Sequence, residues 1–242
     1  MLKLLLTSSG ITNPSIQNAL EDLLGKPIKD SSALFVPTGV YPFLGGPNYA
    51  WWPIAGKMQA KLIGLGWKSM GLLELTALPS IDKALWQPSL QEADALLVWG
   101  GDPLYLAYWL NKSGVAELLE SLEKDLVYVG VSAGAIAVSG VFAETYSNPP
   151  GGRHTSLSSE MVLFPDGITR NLITAEGVSF VEFAVLPHFE NSAFPDACGA
   201  NAALWASKLQ KPVYAIDEDT ALKVVNGKVE VISEGNWRVF NL

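Results

Sequence analysis

The segment Gly130-Val-Ser-Ala-Gly134 has the spacing G-x-S-x-G, in which a serine lies between small residues. An apolar run over residues 127–131 leads into it, and a run rich in small residues over 133–138 follows it. This order predicts a strand, a sharp turn and a helix, which together would expose Ser132 at the tip of a sheet. The first amides of such a helix point toward the oxyanion that forms when a serine attacks a carbonyl. Ser132 is therefore the candidate nucleophile.

A nucleophilic serine needs a base, and the chain has two histidines, His154 and His188. His188 comes shortly after an apolar run at 184–186, and enzymes with parallel sheets place their sites at the carboxyl ends of strands. His188 is thus the predicted general base. His154 and the neighbouring Arg153 lie in a polar segment, where they are candidate contacts for a substrate.

The acid that would orient the histidine is chosen among three carboxylates. Glu144 follows the expected end of the helix after Ser132 and is the first choice. Glu190 and Asp217 are the alternatives, since each lies near the end of a strand-like run.

A second glycine-containing turn, Gly100-Gly101-Asp102, follows the apolar run at 95–99. Glycines at a strand end allow close approach of the backbone. The amides of Gly101 and Ala133 are therefore the predicted oxyanion hole. Asp102 can cap a helix that starts at Pro103, and it is also a candidate contact for the substrate.

These residues need a scaffold, and apolar strand-like runs alternate with helix-like segments along the chain. Uninterrupted apolar strands separated by helices predict a mainly parallel sheet that is covered on both faces. Asn226-Gly227 predicts a C-terminal antiparallel hairpin, and a long polar loop is predicted over 146–160. No linker or repeat divides the chain, which predicts one domain over 1–242. Strands are predicted at 2–7, 33–36, 68–75, 95–99, 127–131, 184–186, 213–216, 221–225 and 228–233, and helices at 14–24, 54–65, 103–110, 115–122 and from 133.

Composition narrows the class of protein. The chain of 242 residues is 49% hydrophobic and 17% charged, which is typical of a well-packed globular protein. Its net charge of -8 and its lack of a basic stretch argue against a nucleic-acid partner. No window offers the apolar length that a membrane span needs. Metal-ligand spacing and nucleotide-binding motifs are also absent from the sequence, so no metal and no cofactor are expected.

The single cysteine, Cys198, cannot form an internal disulfide, which favours a reducing compartment and a cytoplasmic location. It is interpreted as a structural thiol, because free cysteines usually behave as small apolar residues. The sequence gives no indication of an oligomeric state.

The chain resembles the peptidase E (dipeptidase E) and cyanophycinase family, which belongs to the class I glutamine amidotransferase-like fold group. The resemblance implies a flavodoxin-like three-layer α/β sandwich and hydrolysis of a small peptide or amide through an acyl-enzyme. It places the family's nucleophile on Ser132, its histidine on His188 and its acid in the region of Glu144. The matching stretches are Leu4-Leu-Leu-Thr-Ser-Ser-Gly10, Val98-Trp-Gly-Gly-Asp-Pro-Leu-Tyr-Leu106, Tyr128-Val-Gly-Val-Ser-Ala-Gly134, Leu186-Pro-His-Phe189 and Ala215-Ile-Asp-Glu-Asp-Thr-Ala221.

The chain also departs from the family pattern. Gly-Gly-Asp102-Pro103 replaces a common Gly-Gly-Asn-Thr, and the only arginine after His188 is Arg238. An aspartyl-dipeptidase specificity is therefore not implied, although Arg153 and Arg170 are available to contact an acidic substrate. Two alternatives stay open: a ligand-binding or regulatory member without catalysis, and an esterase or acyltransferase that uses the same residues.

Overall fold

The computed structural model describes residues 2–57, 62–146, 156–164 and 167–241. Seven α-helices are assigned in these ranges: α1 Pro14–Leu24, α2 Gly46–Ile54, α3 Lys83–Glu92, α4 Pro103–Lys112, α5 Val115–Ser121, α6 Ala133–Ile136 and α7 Gly199–Leu209. The strands assigned there are β1 Leu2–Thr7, β2 Ser32–Val36, β3 Ser69–Leu72, β4 Ala95–Val98, β5 Leu126–Val131, β6 Val141–Tyr146, β7 Ser156–Leu163, β8 Thr169–Glu176, β9 Ala184–Leu186, β10 Val213–Ile216, β11 Thr220–Val225, β12 Lys228–Ser233 and β13 Trp237–Phe240.

The main sheet has seven strands in the order β12-β11-β1-β5-β4-β2-β3. Strands β1, β5, β4, β2 and β3 run parallel, and the antiparallel hairpin β11–β12 joins at the edge next to β1. The prediction of a large, mostly parallel sheet with a C-terminal hairpin is therefore confirmed. The finer assignment to a flavodoxin-like sandwich stays a prediction.

Both faces of this sheet are buried, which explains why its central strands are apolar without alternation. In β1, Leu5 packs with Ile16 and Leu20 of α1 on one face. Leu4 and Leu6 point to the opposite face, where α3, α4, α5 and α6 supply the core. The loops at the carboxyl ends of the parallel strands are thus held by a core on each side.

Two smaller sheets complete the fold, with the orders β13-β10-β9 and β6-β8-β7. Strands β9 and β10 are parallel, with Leu186 opposite Ala215, and α7 packs against both sheets through Trp205 and Ala202. Because β9 and β10 run side by side in the same direction, the chain leaves both at the same edge.

Two sequence predictions are wrong in the described residues. The predicted loop over 146–160 includes the first part of β7, which runs from Ser156 to Leu163, while residues 147–155 lie outside the described ranges. The helix predicted over 54–65 is not formed in its described part, because α2 ends at Ile54 and only a single helical turn covers Ile63–Leu65; residues 58–61 lie outside the described ranges. The helix starts earlier because Gly45 adopts a left-handed φ of 81° and Pro47 suits a first turn.

Within the ranges that the structure describes, no helix combines the length and the apolar character needed to cross a membrane.

Candidate active site

Ser132 lies on a strained turn between β5 and α6. Its backbone has φ 51° and ψ -111°, a region that residues other than glycine rarely occupy. The glycines on either side are needed for steric reasons. A Cβ atom on Gly130 would lie 2.5 Å from the carbonyl oxygen of Gly134, and one on Gly134 would lie 2.3 Å from that of Val98. The turn predicted from the G-x-S-x-G spacing is thus present, and it holds the serine side chain at the end of the central strand.

The side chains of Ser132, His188 and Glu218 form a continuous chain of hydrogen bonds. The Nε2 atom of His188 lies 2.9 Å from Ser132 Oγ, and its Nδ1 atom lies 2.9 Å from Glu218 Oε1. A carboxylate accepts the Nδ1–H, so the geometry assigns the tautomer in which Nε2 is the acceptor for the serine hydroxyl. This is the arrangement of a nucleophile, a base and an orienting acid.

Further contacts hold the imidazole of His188 in this position. Its backbone N–H donates to Ser8 Oγ at 3.0 Å, and Ser8 in turn donates to the carbonyl of Ile216 at 2.8 Å. The ring stacks on Phe194, with centroids 3.9 Å apart and planes at 9°. The ring is therefore fixed by Ser132 and Glu218 at its two nitrogens and by an aromatic ring on one face.

The structure brings Glu218 to His188, which corrects the first choice of Glu144 as the orienting acid. Glu144 accepts the backbone N–H of Thr145 and faces a cavity instead. The alternatives are also engaged elsewhere. Glu190 accepts the N–H of Gly199, and Asp217 accepts the N–H of Asp219 in the turn after β10 and the N–H of Asn236 between β12 and β13.

The parallel pairing of β9 and β10 explains why Glu218 is the partner. His188 is the second residue after the end of β9, and Glu218 is the second residue after the end of β10. Neighbouring parallel strands deliver such residues to the same edge of a sheet. The signal in the sequence is Asp217-Glu218-Asp219 directly after an apolar strand, and Glu218 is the neighbour of Asp217, which was one of the alternatives.

The glycine turn after β4 packs directly against the nucleophile. Gly101 has φ 128°, and a Cβ atom there would lie 2.1 Å from the carbonyl oxygen of Gly39. A Cβ atom on Gly100 would lie 3.3 Å from Ser132 Cβ. Ala133 is the first residue of α6, so its N–H has no acceptor within the helix. The oxyanion hole formed by Gly101 and Ala133 stays a prediction, for which this close packing supplies the required proximity.

Two cavities share Ser132, His188 and Gly101 in their walls. One has a volume of about 650 Å³ and is lined by polar groups that include Asp102, Glu144, Tyr146 and Asp196, together with Trp205. The other has a volume of about 800 Å³ and is mainly apolar, with Val40, Tyr49, Trp99, Val131 and Phe194 in its wall. Ser132 therefore borders two cavities, of which only the first has carboxyl groups among its described lining residues.

The cavity of about 650 Å³ is called the acidic cavity below, because Asp102, Glu144 and Asp196 line it, and these carboxyl groups affect one another's pKa values. Burial raises the pKa of Glu144 to about 8, and the nearby carboxylates of Asp102 and Asp196 add to this increase. Burial, with Glu144 as the next cause, also raises the pKa of Tyr146 well above its usual range. Asp196 is paired with the buried Arg170, whose Nε lies 3.1 Å from Asp196 Oδ1. This environment therefore favours the protonated form of Glu144 at neutral pH.

The remaining predicted residues have varied positions. Asp102 caps α4 by accepting the N–H of Tyr105 at 2.8 Å, and it also lines the acidic cavity. Arg153 and His154 lie outside the described residues. Cys198 is half-buried and precedes α7. Arg238 lies over the ring of Phe240, 4.9 Å from its centroid.

Metal binding was tested from the arrangement of side chains. Over the described part of the chain, the structure contains no group of three or more His, Cys, Asp or Glu side chains that could hold a metal ion.

The residues that the sequence prediction missed are Glu218, Ser8 and Phe194, all of which contact His188 through the tertiary fold.

Comparison with known proteins identifies the family of the chain. The model of peptidase family S51 matches residues 4–232. An uncharacterized peptidase of Listeria monocytogenes serovar 1/2a is 28% identical over 146 residues, which cover 60% of this chain and 62% of that protein. The match thus spans less than two thirds of that relative.

Two solved structures share the fold. A crystal structure of a candidate peptidase E from Listeria monocytogenes EGD-e has a TM-score of 0.60 and 18% identity, and the alignment covers 97% of this chain and 100% of that one. A peptidase from an acI-B1 Actinobacterium has a TM-score of 0.60 and 21% identity, over 99% of this chain and 91% of that one. At these identities the likeness shows a common fold.

Proposed function

The chain belongs to peptidase family S51, and we propose that it is a serine peptidase that cleaves a small peptide or amide through an acyl-enzyme on Ser132. The observation that carries this proposal is the hydrogen-bonded series Ser132–His188–Glu218, with 2.9 Å at both contacts of the imidazole. The strained backbone of Ser132 supports it, because strain of this kind is typical of functional sites.

In the first half of the reaction, Ser132 Oγ attacks the carbonyl carbon while its proton moves to His188 Nε2. Glu218 stabilises the imidazolium that forms, and the amides of Gly101 and Ala133 donate to the oxyanion. The tetrahedral intermediate then collapses. The C–N bond breaks, and His188 gives its proton to the leaving amine.

In the second half, water enters the site and loses a proton to His188 Nε2 as its oxygen attacks the acyl carbon. A second tetrahedral intermediate forms in the same oxyanion hole. When it collapses, the bond between the acyl group and Ser132 Oγ breaks, and His188 returns the proton to the serine. The free enzyme is restored and the released acid accounts for all atoms.

The test uses a fluorophosphonate probe together with hydrolysis of a small set of dipeptides, amides and esters. Ser132→Ala should abolish both labelling and turnover while the folded state, followed by circular dichroism, is retained. Ser121→Ala is the matched control, since Ser121 is an exposed serine on α5 whose hydroxyl bonds only the carbonyl of Leu118.

Three outcomes would contradict the proposal in different ways. Labelling that persists in Ser132→Ala would identify another nucleophile. A folded wild-type protein that neither labels nor cleaves would indicate a binding protein. Cleavage of esters with no cleavage of amides would indicate an esterase or acyltransferase.

A further inference from the structure

The cavity of about 800 Å³ beside Ser132, called the apolar cavity below, extends to the nucleophile itself. Ser132, His188 and Gly100 all lie in its wall. A Cβ atom on Gly100 would lie 3.8 Å from Ser132 Oγ, so a side chain at this position would fill the space next to the hydroxyl. Because residue 100 is a glycine, a group bound in the apolar cavity can lie close to the carbonyl that Ser132 attacks.

Aromatic residues form part of this wall, and neighbouring rings hold two of them in place. Trp99 is half-buried and packs against the core on the α1 face of the main sheet, where its ring centroid lies 6.2 Å from that of Phe35. Tyr49 lies on α2, and its ring meets the ring of Trp52 edge-on, with centroids 5.3 Å apart. A wall that is already in place before a ligand binds loses little conformational entropy on binding.

Four large apolar or aromatic side chains around the apolar cavity are exposed. Phe43, Leu44, Tyr49 and Phe194 all line it, and they are between 41% and 101% exposed. Single exposed apolar side chains are common, but a group of them around one cavity is typical of a ligand-binding site. A ligand that covers these side chains removes their apolar surface from water, which favours an apolar occupant.

The charge of the wall points to the same kind of occupant. The described residues that line the apolar cavity include no aspartate, glutamate, lysine or arginine. The hydroxyl of Ser8 is already engaged, because it accepts the N–H of His188 and donates to the carbonyl of Ile216. A charged side chain that entered this cavity would lose its water without gaining a partner of opposite charge, which is unfavourable. An uncharged apolar side chain has no such cost.

We propose that the apolar cavity is the subsite for a large uncharged side chain, aromatic or branched aliphatic, on a residue next to the scissile bond, and that Tyr49 and Trp99 determine this preference. The inference rests on the proposed peptidase function, because the occupant is the substrate of Ser132. The side chain belongs either to the residue that supplies the carbonyl or to the residue that supplies the leaving amine, and the experiment distinguishes these two sources.

The experiment measures binding of dipeptides to Ser132→Ala by titration calorimetry, so that it does not depend on turnover. The peptides form two series, X-Gly and Gly-X, in which X is phenylalanine, leucine, alanine, aspartate or lysine. In one series we expect phenylalanine or leucine to bind at least tenfold more tightly than alanine, which equals about 1.4 kcal/mol. Aspartate and lysine should bind no more tightly than alanine. The series that shows the preference identifies the side of the scissile bond.

Variants then test the two aromatic residues. Adding Tyr49→Ser to Ser132→Ala should reduce the preference for phenylalanine over alanine at least threefold. Trp51→Ser is the matched control, because Trp51 is an exposed aromatic residue on the same helix and lies outside both cavities, and it should leave the preference unchanged. Trp99→Leu should also reduce the preference at least threefold, with folding checked by circular dichroism. Since Tyr49 is on the surface, its variant decides the test if Trp99→Leu does not fold.

The outcomes separate this inference from the proposed function. The inference would be overturned by equal or undetectable binding of the phenylalanine, leucine and alanine peptides, or by an aspartate or lysine peptide that binds as tightly as its leucine counterpart. A preference that Tyr49→Ser and the folded Trp99→Leu both retain would also overturn it. If the wild type is still labelled by the fluorophosphonate in these cases, the peptidase proposal stands. A preference for apolar peptides in a protein whose wild type is neither labelled nor active would overturn the peptidase proposal alone.

Discussion

Replacing Glu218 with glutamine keeps the size of the side chain and removes the charge that faces His188 Nδ1. The contact to be changed is the 2.9 Å hydrogen bond between Glu218 Oε1 and that nitrogen. The same oxygen also accepts from Asn191 Nδ2, and this second donor favours the orientation in which the new amide oxygen keeps facing the histidine. We therefore expect the imidazole to keep its tautomer and to lose the stabilisation of its protonated form.

The size of the effect follows from the type of bond. Hydrogen bonds to charged groups contribute about 1.5–3 kcal/mol, compared with about 1 kcal/mol for neutral ones. The Glu218 side chain is 31% exposed, so the lower part of this range applies. The charged bond then exceeds the neutral bond that glutamine keeps by about 0.5 kcal/mol, which corresponds to a decrease in kcat of about twofold, with little change in KM, because the charge on His188 develops only in the transition state.

Steady-state kinetics and the second-order rate of fluorophosphonate labelling both report this change. Asp219→Asn is the matched control, since Asp219 is an exposed carboxylate on the same turn. An unchanged kcat in Glu218→Gln, or an equal decrease in Asp219→Asn, would refute the assignment of Glu218. A larger loss of kcat in Glu144→Gln with an uncharged substrate would return the role to Glu144.

Three further perturbations test other parts of the structure. Gly101→Ala places a Cβ atom 2.1 Å from the carbonyl oxygen of Gly39, so it should lower kcat by about 100-fold and the free energy of unfolding by about 2 kcal/mol or more, measured by kinetics and urea denaturation. Burial raises the pKa of Glu144 from 4.5 to about 8 in the folded protein, so the wild type loses stability relative to Glu144→Gln as the pH rises from about 4.5 to about 8. The Tm of Glu144→Gln should therefore exceed that of the wild type by more at a pH of about 9 than at a pH of about 5. Burial alone would raise the pKa of Asp94, but its ion pairs with Lys26 and Lys124 and the N–H of Ser32 lower it from 3.8 to about 2. Asp94→Asn should therefore cost about 1–2 kcal/mol at neutral pH, and this cost should disappear as the pH falls from about 4 to about 2 in acid-denaturation curves.

The result for Glu144→Gln would also bear on the acidic cavity. A Tm difference that is the same at both pH values would show that the surroundings of Glu144 do not favour its protonated form. Unchanged stability of Gly101→Ala would likewise contradict the close packing of the two glycine turns.

Local features allowed the nucleophile to be predicted from the sequence. Sterics within a few residues determine the turn at Ser132, because small neighbours are required wherever the chain bends so tightly. The uninterrupted apolar strands likewise predicted a mostly parallel sheet, since both faces of such a sheet are buried. His188 was found because it follows a recognisable strand, and its contact with Ser132 then came from the fold.

The small sheet formed by β6, β8 and β7 was missed. Strand β7 is largely exposed, so it lacks the continuous apolar character that marks the central strands. The start of α2 was missed because its glycine, prolines and aromatic residues are typical of a loop. The left-handed backbone of Gly45, which precedes the first turn of the helix, is known only from the structure.

The sequence by itself predicted Ser132 as the candidate nucleophile, His188 as the candidate base and a large, mostly parallel sheet, because each prediction depends on local sterics or on the period of the apolar pattern. Only the tertiary structure selected Glu218 among the neighbouring acids. That choice depends on the register of β9 against β10, which aligns residues 30 positions apart, and on the turn that directs Asp217 toward Asn236 instead. Pairing between distant strands cannot be read from neighbours along the chain, and neither can the way in which three separated carboxyls line one cavity.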